Sequence, residues 1–346
     1  MATSSARRSG LVRISEMGLA FCFLASAAFA QPVSLPPRPA PFIEALVGEY
    51  GEAPARLVLR EANRALEASA DGKDFVPVRD LGGDRYFVER LGEFRVDRGI
   101  PKAGSRPGSS GVVQGLSVRG VFLPRRDFGA GEGTFRVTPL RPPTELLKEA
   151  RTLTPPAETG DFLPSDLVDV RSLDKSIALD VRYASASNFL GTPVYGKAQV
   201  RLQRKAAEAV VRAHRALKPY GFGLMLHDGY RPWFVTWVFW NATPEASREF
   251  VADPAKGSKH NRGCAIDLTL YDLKTKKALE MTGGYDEMSP RSYPDYGGGT
   301  ARQRALRDLL RRVMEAEGFT VYESEWWHFD YVDWPKHRIG NESWWK

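Results

Sequence analysis

Residues 258–267 (Ser-Lys-His-Asn-Arg-Gly-Cys-Ala-Ile-Asp) and 325–328 (Glu-Trp-Trp-His) hold residue types that could bind a metal and drive a hydrolysis. Together they supply two imidazoles, His260 and His328, and two carboxylates, Asp267 and Glu325. Zinc takes N and O ligands in tetrahedral sites, and a catalytic zinc site uses three protein ligands with water in the fourth position. A further carboxylate that does not bind the metal is what an activated water needs as proton acceptor. Of only 5 His in the chain, two fall here. Singly, each residue has a plainer role: His260 could cap a turn, Asp267 could pair with a cation, and His328 could pack among Trp326, Trp327 and Phe329. Together they say more. After Gly263 the chain alternates, with Cys264, Ile266, Leu268 and Leu270 on one face and Ala265, Asp267 and Thr269 on the other. A carboxylate in the middle of such an apolar strand is costly to bury without a partner, and a metal would be that partner. Cys264 then points away from Asp267, into the core.

The elements that must position these groups have the pattern of an α+β domain. Residues 177–183 and 222–226 read as strands. A helix is expected over 204–217, with Ala206, Ala209, Val210, Ala213 and Leu217 on one face and His214 beside it as a helix residue. The loop 227–230 presents Arg231, and Pro232 can open a helix through Trp240. Leu306, Leu309, Leu310, Val313 and Met314 recur at helical spacing before the stop signal Gly318. Glu325 and His328, three apart, would face opposite sides of a straight strand. Glu325 is therefore expected just before the strand or at a bulge.

Ser-x-His-x-x-Gly-x-Ala-x-Asp followed by Glu-x-x-His resembles the zinc D-alanyl-D-alanine dipeptidases related to the vancomycin-resistance enzyme. The resemblance runs through His227-Asp228-Gly229-Tyr230-Arg231-Pro232-Trp233 and Tyr285-Asp286-Glu287-Met288, and covers about residues 161–334. It implies one Zn2+ per chain held by His260, Asp267 and His328. It implies Glu325 as catalytic base, Arg231 as transition-state stabiliser, Asp286 as binder of the substrate amino group, and Ser258, the serine beside the site, as a further substrate-binding residue. The implied fold is a zinc peptidase domain with a small antiparallel sheet flanked by helices.

The N-terminus carries Arg7, Arg8 and Arg13, an apolar run over 17–29 and Ala28-Phe29-Ala30, the pattern of a secretory signal with an A-x-A cleavage site. The expected organisation is a signal peptide (1–30), a Pro-rich lead-in (31–40), a smaller all-β domain of unknown role (41–142), a linker (143–160) and the zinc dipeptidase domain (161–346). In the β domain the strand candidates are 55–60, 75–78, 84–90, 112–116, 118–123 and 134–137, with a turn at Asp71-Gly72-Lys73 and a flexible loop over 103–112. Removing the signal leaves one thiol, Cys264, and so no intramolecular disulfide.

The formal net charge is +7, of which the signal contributes roughly +2 (Arg7, Arg8 and Arg13 against Glu16), and the remainder forms no basic block. That argues against nucleic-acid binding. The apolar run is short for a membrane span, so no stable anchor is expected. The reading is a periplasmic or secreted enzyme that cleaves the small dipeptide D-Ala-D-Ala in cell-wall turnover. The alternatives are a peptidoglycan D,D-carboxypeptidase or endopeptidase, and a zinc-stabilised binding module without turnover. Pairing of Glu325 with Arg231 argues against the last.

Overall fold

The computed structural model describes Met1 and residues 34–99, 111–128 and 135–345. The expected signal peptide (Met1 aside) and loop residues 103–110 lie outside the described residues. Among the described residues no helix is long and apolar enough to cross a membrane.

After a short helix α1 (Pro41–Glu44), eight strands follow as an antiparallel meander: β1 (Gly48–Tyr50), β2 (Leu57–Ala62), β3 (Ala65–Ser69), β4 (Val76–Gly82), β5 (Arg85–Val88), β6 (Gly92–Arg98), β7 (Val113–Val118) and β8 (Val121–Pro124). Tyr50 bridges Arg125, the Gly51 amide donates to Pro124 O (2.8 Å), and the Arg126 amide donates to Glu49 O (2.9 Å). The first and last strands thus meet, and the sheet comes close to a barrel without exposed edges. Strand alternation turns Leu57, Leu59, Tyr86, Phe94, Val96 and Leu116 into its core. The strand expected over 118–123 is in fact a hairpin. Arg119 and Gly120 take left-handed φ of 49° and 81° and reverse the chain between β7 and β8. Of the strand expected over 134–137, Thr134 lies outside the described residues and 135–137 join no sheet.

Residues 143–150, expected as linker with one amphipathic turn, form helix α2 (Pro143–Ala150), which packs on a later helix, α5 (Trp233–Ala242). A two-stranded sheet, β9 (Leu167–Asp169) with β11 (Arg201–Gln203), brackets helix α3 (Val170–Leu173) and β10 (Ala178–Leu179). The long strand expected over 177–183 shrinks to β10, because residues 182–184 turn into a 3-10 helix. The central sheet has the order β10-β12-β13-β15-β14, with β12 (Phe222–Asp228), β13 (Ala265–Asp272), β14 (Phe319–Tyr322) and β15 (Glu325–Tyr331). It is antiparallel except at its edge, where β10 runs parallel to β12. Helix α4 (Arg204–Leu217) touches β12, and α6 (Ala301–Glu315) touches β13, β14 and β15. The apolar stripe of α4 is fully buried, as its 3.6-residue periodicity requires. This half has a second apolar core, separate from that of the barrel.

Candidate active site

Strand pairing makes the first contact. Asp267 and His328 lie directly opposite each other on β13 and β15, so their side chains leave the same face. The third group comes from a 3-10 turn over Lys259–Arg262. Ser258 Oγ accepts the His260 amide (3.2 Å), and Asn261 Oδ1 accepts the Ser258 amide (2.7 Å), a reciprocal cap that fixes the turn. Gly263 ends it at φ 69°, where a Cβ would sit 2.5 Å from Leu167 Cδ2. Asn261 also donates to the Arg231 carbonyl and to Thr236 Oγ1, both at 2.8 Å, tying the turn to the Arg231 loop.

The three groups meet at short range. His260 Nε2 is 3.1 Å from His328 Nδ1 and 3.3 Å from Asp267 Oδ1, and His328 Nδ1 is 3.1 Å from the same oxygen. The other ring nitrogens have acceptors that claim the protons. His260 Nδ1 faces Gly229 O at 2.7 Å, and His328 Nε2 faces Asp330 Oδ1 at 2.9 Å. With the protons on those atoms, the inner nitrogens present lone pairs, and Asp267 Oδ1 is buried with no hydrogen-bond donor. Three lone-pair atoms facing one another repel unless a cation lies among them. Outer partners of this kind are what orient metal-binding imidazoles. Without a cation, the acidic neighbours instead draw a proton onto the cluster. Burial pushes the His328 imidazole down, yet Asp330 and Asp267 overcome it and carry it up to about 10. Asp267, despite burial, is held well below the usual carboxylate range by His260 and His328. The pocket demands positive charge, and the His-Asp-His set fits zinc.

Glu325 is the first residue of β15, beside a register shift between Val321 and Tyr322 on β14. This irregularity lets it share a side with His328, and its Oε2 lies 3.6 Å from His328 Nδ1. Burial, aided by Asp267, pushes its carboxyl up to about 7 against the opposing pull of His328. Arg231 is 8% exposed; Asp228 Oδ2 accepts its Nε at 2.9 Å, and its NH2 end lies 3.7 Å from Asp267 Oδ2. The guanidinium lies over Phe239 and Tyr183, 4.8 and 5.5 Å from the ring centres. Asp286 sits at φ 57° in the loop after Met281. One of its oxygens accepts Tyr183 OH (3.0 Å) and the other is buried without a partner. Burial and the charges of Asp267 and Glu325 push its carboxyl well above the usual range.

All seven residues singled out in the sequence, Arg231, Ser258, His260, Asp267, Asp286, Glu325 and His328, line one cavity of about 190 Å³. Four positioning groups were not assigned beforehand. Tyr285 OH donates to Asp267 Oδ2 (3.1 Å), Tyr183 holds Asp286, Asp228 holds Arg231, and Asp330 orients His328. Asp228 and Tyr285 stand inside the family motifs but carry no sign of their partners, and Tyr183 has no local signal; Asp330, two residues after His328, shares its face by strand alternation, which could have pointed to it.

Residues 164–341 match the model of the M15 peptidases described as D-Ala-D-Ala dipeptidase. The chain belongs to this family. It is similar to the D-alanyl-D-alanine dipeptidases of Escherichia coli K12 (34% identity over 166 residues, 48% of this chain and 84% of that protein), Streptomyces coelicolor (35% over 195 residues, 51% and 94%) and Enterococcus faecium (36% over 177 residues, 45% and 86%). As an M15 family member the chain is a metallopeptidase, and its near-barrel sheet lies outside the matched segment.

Proposed function

We propose that the protein is a zinc-dependent D-Ala-D-Ala dipeptidase, with His260, Asp267 and His328 as the metal ligands. The observation that carries this is the convergence of one possible ligand atom from each of His260, Asp267 and His328 beside Glu325, with the partnerless oxygen of Asp286 in the same small cavity. Zinc in such a site supplies Lewis acidity towards the scissile carbonyl and makes water acidic enough to be a nucleophile near neutral pH. Glu325 takes the proton of the attacking water on its carboxylate and returns it to the leaving amine, for which a pKa near neutrality suits it. Arg231, held by Asp228, is placed to stabilise the oxyanion of the tetrahedral intermediate. Asp286 accepts the substrate ammonium on its free oxygen, and Ser258 keeps the His260 turn in shape at the cavity wall. The relatives' printed activity supports this substrate.

The arginines, apolar run and Ala28-Phe29-Ala30 support export to the periplasm and a role in cell-wall turnover, with residues 41–142 as an added β domain and 161–346 as the catalytic one. The test is purified protein, with and without a chelator, incubated with D-Ala-D-Ala and L-Ala-L-Ala. Cleavage of the D,D-dipeptide alone, lost on chelation and restored by zinc, is expected. Turnover that survives chelation would overturn the proposal.

A further inference from the structure

The near-barrel sheet touches the rest of the molecule through two buried carboxylates that grip one loop. Glu49 on β1 is 1% exposed, and its Oε1 accepts Tyr296 OH at 2.9 Å while Arg56 and Arg126 balance its charge at 3.0 and 3.7 Å. Glu61 on β2 is 3% exposed, and its Oε2 accepts the Ala301 amide at 2.8 Å, the first residue of α6. An anion there also favours the helix dipole. Backbone contacts reinforce both. The Glu61 amide donates to Gly299 O (3.1 Å), Arg304 donates to Glu61 O (2.9 Å), and Arg60 donates to Gly297 O (3.3 Å). Gly297 approaches so closely that a Cβ would lie 3.0 Å from Phe75 and 3.1 Å from Gly72 O, both in the barrel.

The gripped residues 296–301 end the loop that begins at Gly283 and carries Tyr285 and Asp286. Between them the loop is stapled from inside. Glu287, 2% exposed, accepts the Gly284 amide (2.7 Å), Ser289 Oγ (2.6 Å) and Arg291 Nε (3.1 Å), and Ser292 Oγ donates to its carbonyl. Arg291 in turn lies over Phe128, just beyond β8, 5.0 Å from the ring centre. A stiff loop held at one end by the barrel transmits that hold to the left-handed turn at Asp286.

We propose that the barrel acts as a positioning device for the substrate's amino end, with Glu49, Glu61 and Tyr296 as positioning residues that set where Asp286 stands. This rests on the reading of Asp286 as the ammonium acceptor. None of the three lines the catalytic cavity, so they act on binding and not on the proton transfers.

The experiment is steady-state kinetics on D-Ala-D-Ala with the zinc-loaded full chain carrying Tyr296→Phe, Glu61→Ala or Glu61→Gln, each alone and combined with Asp286→Asn. Tyr296→Phe and Glu61→Ala should each raise KM by about three- to tenfold, the scale of one hydrogen bond, with kcat within about twofold and zinc content unchanged. Glu61→Gln, whose amide oxygen can still accept the Ala301 amide, should restore most of the loss. In the Asp286→Asn background the Tyr296→Phe effect should vanish, because the positioned group is gone. Amide exchange over residues 284–289 should quicken in Tyr296→Phe, a readout that does not depend on turnover. A lowered melting temperature with KM and exchange unchanged would make the barrel merely structural and overturn the proposal. So would a KM effect that persists undiminished without the Asp286 charge. If Asp286→Asn alone leaves KM unchanged, the ammonium reading itself falls, and the proposal with it.

Discussion

Replacing Asp286 by Asn removes one charge and little else. The Asn oxygen can still accept Tyr183 OH, so the loop keeps its anchor and the change reports on the carboxylate itself. A unit charge pair about 4 Å apart in an effective dielectric of about 20 is worth roughly 4 kcal/mol. Part of that is offset, because burial and the neighbouring Asp267 and Glu325 push the Asp286 carboxyl up and make it costly to ionise before the ammonium arrives. A net loss of about 2–3 kcal/mol follows, or roughly a 30- to 150-fold fall in kcat/KM for D-Ala-D-Ala. Zinc content should not change, since Asp286 is not among the three converging donor groups. The assay is kcat/KM for the free dipeptide, metal analysis of the same preparation, and a control with N-acetyl-D-Ala-D-Ala, which the wild type should leave uncut. A fall of less than about threefold, or wild-type cleavage of the acetylated dipeptide at the free dipeptide's rate, would refute the reasoning. A peptidoglycan carboxypeptidase or endopeptidase would then be the better reading.

Glu325→Ala should keep about one zinc per chain while activity falls by the roughly 10²–10⁴-fold typical of losing a general base, whereas His260→Ala should lose metal and activity together. Metal analysis alongside kinetics separates the two. Cys264 is fully buried and burial pushes its thiol up to about 12, so native protein should label slowly with a thiol reagent and Cys264→Ala should retain zinc. Rapid labelling blocked by zinc would show the wrong face. His214 is fully buried, accepts the Leu224 amide at Nδ1 (3.0 Å), and is pushed down to about 4 chiefly by burial. Its folded pKa lies below the unfolded value, so the unfolded chain binds the extra proton. The stability His214 contributes is complete above about pH 6.5 and shrinks as pH falls towards 4. Wild type should lose about 2 kcal/mol more than His214→Gln between pH 7 and pH 5 in urea unfolding, and parallel pH profiles would contradict it.

The sequence by itself determined what a local pattern can encode. Helical spacing of alanines and leucines marked α4 to its ends, because burial of one stripe demands that period. The ligand types stood out because a carboxylate in an apolar strand needs a cation. The awkward spacing of Glu325 and His328 required an irregularity near the start of their strand, and the structure has a register shift opposite it, between Val321 and Tyr322 of β14. Where the local signal was thin, the chain went its own way. Residues 118–123 look like one apolar strand, but left-handed Arg119-Gly120 breaks it, and residues 177–183 keep only two residues in the sheet. Tertiary structure alone decided the partners. Tyr285 on Asp267, Tyr183 on Asp286 and Glu49 on Tyr296 join residues that no periodicity links, the last pair 247 positions apart. Side-chain orientation at a site is set by contacts that exist only once distant elements pack. A sequence therefore names the reacting groups before it can show what holds them still.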